Sequence, residues 1–237
     1  MLLAACLAVA VAGAGAGQAA APPDRGAPAG CPHVASTGPP APPARGAPDD
    51  SAAPAAPRRA PAADLARFLA GGALGLGMHE AGHIGTAAIV GASPGVKKVT
   101  FGAVRFCAIT HREVPRGREY AIAASGFWVQ HATSEWLLSR RPALRHQRAP
   151  VAKGVLAFNI LTSLTYASAA FGRFGPHERD TRAMAEALGV QEPVAGALIA
   201  APAVLDAWRY FSPRSRWAVW ASRAMKVGVA LAVAGSR

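Results

Sequence analysis

Sulfur and acid are both scarce in this chain. Of 237 residues, three are cysteine. Cys6, Cys31 and Cys107 have no C-x-x-C spacing among them, which excludes a disulfide framework, and they read as free thiols. Asp and Glu together number 13 against 25 Lys and Arg, for a net charge of +12. Only 16% of residues are charged while 51% are hydrophobic, and the mean hydropathy is +0.20. That is oily for a soluble domain. A pI near 11.0 first suggests nucleic acid. No recognition-helix pattern accompanies the charge, however, and the basic residues sit mostly in short segments between apolar spans, as in membrane proteins. No nucleic-acid partner is expected. There is no internal repeat. The run Gly71-Gly72-x-x-Gly75-x-Gly77 lacks the spacing of a dinucleotide fingerprint, and no strand precedes it.

What the chain does have is Met78-His79-Glu80-Ala81-Gly82-His83-Ile84-Gly85. On a helix, residues four apart share a face, so His79 and His83 can reach one metal. Glu80 lies one position round, where it can take a proton from water at the metal. From Leu65 to Val90 the only ionisable side chains are Arg67 and those of the motif. A stretch this apolar is a transmembrane candidate, and ionisable groups inside one point to function. The competing reading is a buried polar cluster that only ties helices together.

The N-terminus divides in two. Residues 1–21 resemble a signal peptide or N-terminal anchor, although no Lys or Arg precedes the apolar run. Residues 22–63 are rich in Pro and Ala with few large apolar side chains, and read as a disordered linker in which His33 is idle. Residues 64–237 form the expected membrane domain. Its further apolar spans are Tyr120 to Leu138, Val151 to Phe171 and Val190 to about Phe211, with a last segment from Trp217 to Val233 that spans or lies in the interface with Arg223 and Lys226 snorkelling. Between the first two, Val96 to Thr110 is rich in Val, Phe, Thr and Ile and reads as a bent strand or hairpin. The expected fold is mainly α: a polytopic transmembrane helical bundle with a small β-strand or hairpin segment after the first core helix. Lys and Arg nearly balance on the two sides, so the positive-inside bias does not choose an orientation.

A catalytic zinc (Zn2+) needs three protein ligands and an open position. His79 and His83 supply two. For the third, Asp206 is the first choice, because it is an acid near the end of an apolar span and follows the helix-loosening Pro202. Its alternative is an ion pair with Arg209. Glu135 and His131, four apart in the second span, are the next choice, with a pair to each other as the alternative. Asp180 or Glu178 in the polar connector follows, although Asp180 or Thr181 also suits the N-cap of a helix from Arg182 to Leu188. His111 reads as a surface histidine. A serine nucleophile at Ser125 fits less well, since His131, six residues on, points to another face.

The Met78 to Gly85 block, the following strand-like Val96 to Phe106 with Gly102, and the later Leu205-Asp206-Ala207 together resemble the site-2 protease family as a divergent member. Those are intramembrane zinc metalloproteases with H-E-x-G-H on a membrane helix, a β segment soon after, and a later Leu-Asp-Gly motif; Ala207 stands where the family prefers glycine. The resemblance implies His79, His83 and Asp206 as metal ligands and Glu80 as catalytic base. It implies peptide-bond hydrolysis in or near the bilayer, with membrane lipids around the chain and a membrane-protein or peptide as substrate. The location it implies is an inner membrane of bacterial type. Two other classes stay open: a non-enzymatic metal-binding or scaffold membrane protein, and a membrane zinc hydrolase acting on something other than peptide.

Overall fold

The computed structural model describes residues 61–101 and 104–235. The expectations for residues 1–21 and for most of 22–63 lie outside that range, as do Cys6, Cys31 and His33. The described chain is mainly helical, with one small hairpin. Helix α1 is Pro61–Ile89, and strands β1 (Gly95–Phe101) and β2 (Val104–Thr110) follow. Then come α2 (Arg116–Arg140), a 3-10 turn (Leu144–His146), α3 (Pro150–Gly172), α4 (Asp180–Leu188), α5 (Glu192–Phe211) and α6 (Arg216–Gly235).

Helix α1 starts inside the segment that composition assigns to the linker. Pro61 is tolerated there because a first-turn residue needs no N–H partner. The turn after α1 uses Gly91 at φ 73 and Ser93 at φ 53 to reverse the chain into the hairpin. The strands pair antiparallel, with Gly95 opposite Thr110 and Phe101 opposite Val104. The expected bent strand or hairpin is thus a hairpin directly after the first helix.

Helices α1 and α3 pack nearly backbone to backbone. A Cβ on Gly71 would fall 2.2 Å from the Val151 carbonyl oxygen, and one on Gly154 would fall 2.0 Å from that of Phe68. Only glycine allows that approach. One apolar core joins α2, α3, α4 and α5 through Tyr120, Phe127, Ala167, Met184 and Ile199. A second, around Leu137, Leu144 and Leu156, closes the end where the 3-10 turn lies. Asn159 of α3 is buried and structural: its Nδ2 donates to the Gln130 carbonyl and to Ser134 Oγ, both at 3.0 Å on α2.

Two of these helices, α3 and α5, are long and apolar enough to cross a membrane. α1 and α2 are long enough, but glycines and the polar residues His79, Glu80, Gln130, His131 and Glu135 dilute their hydropathy. In α6, Arg223 and Lys226 both reach Glu135 of α2, Lys226 largely buried and Arg223 at the surface.

Candidate metal centre

His79 and His83 occupy successive turns of α1 and are 3% and 5% exposed. They face α2. The Nδ1 of His83 lies 2.8 Å from the Ile122 carbonyl oxygen. A carbonyl only accepts, so Nδ1 carries the proton and the Nε2 lone pair is left for the site. That Nε2 stands 3.1 Å from Nε2 of His79. The His79 ring packs edge-on against Phe127, 5.2 Å between centroids, and its buried Nδ1 has no hydrogen-bond partner among the described residues. Gly126 of α2 leaves the space around the two nitrogens: a Cβ there would fall 2.5 Å from both His83 Nε2 and His79 Cε1.

The third group is Asp180, the first residue of α4. Its Oδ2 is 3.6 Å from Nε2 of each histidine. His79, His83 and Asp180 therefore form a group that can hold a metal ion, with donor atoms within 4.8 Å of one another. Burial works against ionisation of the Asp180 carboxyl, but the two imidazoles beside it outweigh that and hold it below the usual carboxylate range. Its side chain is 21% exposed, so the acid also borders solvent.

The placement of Asp180 is enforced by its neighbours. The Arg179 guanidinium grips the Glu192 carboxylate through Nε and Nη2, and Thr181 Oγ1 donates to Glu192 Oε1 at 2.9 Å. Arg179 Nη1 also donates to the carbonyls of Gly175 and Pro176 at 3.2 and 2.9 Å. One carboxylate on α5 thus fixes both flanks of Asp180. On the other side, Lys97 of β1 reaches Glu178 at 3.1 Å and ties the hairpin to the same loop. Glu178 is occupied there and is not at the histidines.

Comparison with family models, curated proteins and solved structures finds no match. What the site does is read from its own geometry.

Asp206, the first choice from sequence for the third ligand, is not beside the histidines. It is 1% exposed and belongs to another cluster. Its Oδ1 accepts from Lys226 Nζ at 2.7 Å and from Ser222 Oγ at 2.9 Å, with Arg209 at 3.6 Å. The physical reason is α6, which folds back along α5 and brings cations to the acid. Glu135 joins the same cluster. It accepts from Arg209, from Arg223 Nε at 2.9 Å and from Lys226 at 3.1 Å, not from His131. His131 is buried, and its Nε2 has no hydrogen-bond partner among the described residues. His111 contacts Glu119 at 3.5 Å, away from the site. Ser125 donates its hydroxyl to the Ile122 carbonyl at 2.6 Å, not to a histidine.

Glu80 is half-buried on α1 and makes no hydrogen bond among the described residues. Its charge acts on the adjacent His83. In the sequence, suitability as a helix cap masks Asp180 as a site residue. The structure gives it no capping bond: Arg179 is the N-cap residue, and no side chain caps this helix. The signal available was the polar run His177-Glu178-Arg179-Asp180-Thr181 in an otherwise apolar region.

Proposed function

We propose that this protein is a membrane zinc hydrolase of peptide bonds, with His79, His83 and Asp180 as ligands and Glu80 as base. The observation that carries the reading is the donor triangle, with edges of 3.1, 3.6 and 3.6 Å. Tetrahedral zinc with arms of about 2.0–2.1 Å has ligand-to-ligand edges of about 3.3–3.4 Å, close to these. The donor set, two imidazoles and a carboxylate, is one that catalytic zinc uses. The space that Gly126 keeps open beside the two imidazoles leaves room for such an ion.

Zinc held there would supply a Lewis acid for the scissile carbonyl and make water a nucleophile near pH ~7. The chain's own residues do the rest. Ile122 fixes the tautomer of His83, and the Glu192 clamp aims Asp180. Glu80, with its carboxylate free of other bonds, accepts the proton of the attacking water and returns it to the leaving amine. Membrane location is supported by α3 and α5 and by the outward-facing Leu74, Ile84, Trp136, Trp208 and Trp220, all exposed in the isolated chain. The resemblance to the site-2 proteases agrees at His79, Glu80 and His83, while Asp180 takes the role that family gives to the later aspartate.

Glu80→Gln is the decisive variant. It should keep one metal per chain and lose cleavage of a transmembrane peptide panel in detergent, because Glu80 moves a proton and holds no metal. Cleavage at the wild-type rate by Glu80→Gln would leave a metal-binding membrane protein without this chemistry. Full metal retention in the His79→Ala, His83→Ala double variant would remove the metal reading itself.

A further inference from the structure

At one end of the bundle α1 begins, α2 ends and α3 begins. A groove of about 690 Å³ opens there between the three helices. That is within the range of about 300–1,000 Å³ for small-molecule sites. Its walls are largely apolar, with Leu74 and Met78 of α1, Ala132 and Trp136 of α2, and Val155 of α3. Arg67 and Arg141 also line it. Both stand near the helix ends, so the opening is basic and the interior is hydrocarbon. From Arg67 to Met78, α1 rises by roughly 16 Å, the depth of the slot along that helix. Trp136 is 60% and Leu74 52% exposed, so the apolar wall is open along its side.

The charge at the opening is not balanced. Asp64 is shared by two arginines, Arg67 at 3.2 Å and Arg148 at 2.8 Å. Glu135, the nearest acid along α2, is occupied by Arg209, Arg223 and Lys226. The guanidinium of Arg141 has no hydrogen bond or ion pair among the described residues, and neither has that of Arg140 beside it. A slot with unspent guanidinium at its rim and an apolar floor complements an anionic amphiphile.

We propose that this groove holds one anionic phospholipid, its phosphate at Arg67 and Arg141 and an acyl chain along Leu74 and Met78. The proposal rests on the membrane location and not on the metal chemistry, since none of the residues lining the groove is a donor of the metal centre.

The test is native mass spectrometry of the full chain released from mild detergent, with dioleoylphosphatidylglycerol against dioleoylphosphatidylcholine. The wild type should retain one phosphatidylglycerol with a preference of about ten-fold. Arg141→Gln breaks no bond in the protein and should lower that preference about five-fold, one basic residue's share near a membrane surface. Ala132→Trp should fill the slot and displace both lipids while metal content stays at the wild-type level. Equal retention of the two lipids by the wild type, or an unchanged preference in Arg141→Gln, would overturn the lipid site and leave the membrane reading standing. Lipid binding that emerges only after deletion of residues 1–60 would assign the groove to the chain's own N-terminal segment and overturn it as well. Extraction of the protein by alkaline carbonate would remove the membrane reading and the lipid site together.

Discussion

Two polar clusters lie inside this helical bundle, and they are built on opposite principles. Around Asp206 and Glu135, both oxygens of Glu135 and Oδ1 of Asp206 meet a cation or hydroxyl: Arg209, Arg223, Lys226, Ser222 and Ser139 all converge there. Around His79, His83 and Asp180, three metal-donor atoms face one another, and among the described residues no Lys or Arg pairs with them. A cluster whose members satisfy each other is complete, and in a low-dielectric interior it holds helices together. A cluster of donor atoms aimed at a common point has only protons or a metal ion to hold it together. From the sequence alone both look alike, as ionisable residues within apolar spans, and it is the partners that separate them.

The sharpest way to break this contrast is to remove one acid from each cluster. Asp180→Ala should lower zinc affinity by at least about 100-fold, beyond the 10–100-fold that loss of an outer-shell partner costs. Asp206→Asn should leave zinc affinity unchanged and instead destabilise the fold by about 3 kcal/mol, because it leaves Lys226 and Arg209 short of a buried counter-charge. Metal titration and denaturant unfolding on both variants read the two effects separately. Zinc loss in Asp206→Asn with full retention in Asp180→Ala would reverse the assignment.

This pair also shows what was legible in the sequence. The local signals held. The motif predicts its own helix and the shared face of His79 and His83, and β-branched and aromatic residues mark the hairpin. These properties depend on neighbours within a few residues. Which acid joins the two histidines depends on which distant element lies opposite α1, and no spacing rule carries that. The sequence favours Asp206 because its span and Pro202 are visible, whereas its partners Ser222 and Lys226 sit on a helix whose docking face no pattern specifies. Asp180 was hidden by an ordinary local role at a helix start, and its true constraint is Glu192 on the next helix.

Gly126 sharpens the contrast from the side of packing. Gly126→Ala would place a Cβ 2.5 Å from atoms of both imidazoles. The ring positions are fixed by the Ile122 carbonyl and Phe127, so relief must come from moving α2. A cost of about 1–3 kcal/mol is expected, as for overpacking elsewhere. Zinc affinity should fall with it, and thermal unfolding with and without zinc distinguishes the two losses. If the variant binds zinc as tightly as the wild type, the cradle is not part of the centre.

Glu192 tests whether the incomplete cluster is held in place from outside. It touches no histidine, yet both flanks of Asp180 bind it. Glu192→Gln keeps the size and removes the charge that Arg179 grips. Zinc affinity should drop about ten-fold, in the range for outer-shell partners. A purely structural role would lower stability alike in the metal-free and metal-loaded protein, so the expected signature is a larger loss in the loaded form.

The smallest effect is expected at Ser222. Its hydroxyl donates to Asp206 Oδ1 at 2.9 Å and accepts from Arg209 Nη1 at 3.2 Å. Ser222→Ala removes one link from a network with others to spare, since Lys226 still binds Asp206 at 2.7 Å. A single hydrogen bond to a charged group contributes about 1.5–3 kcal/mol when nothing replaces it. Here the remaining cations keep the acid partnered, so a loss of about 1 kcal/mol is expected, with zinc affinity untouched. Unfolding of Ser222→Ala beside Asp206→Asn and the double variant gives the coupling directly. If the cluster is complete in the sense argued, the double variant should cost little more than Asp206→Asn alone, because Ser222 stabilises the fold chiefly through that carboxylate. Additive losses would show instead that Ser222 serves Arg209 independently, and that the network is a set of separate pairs.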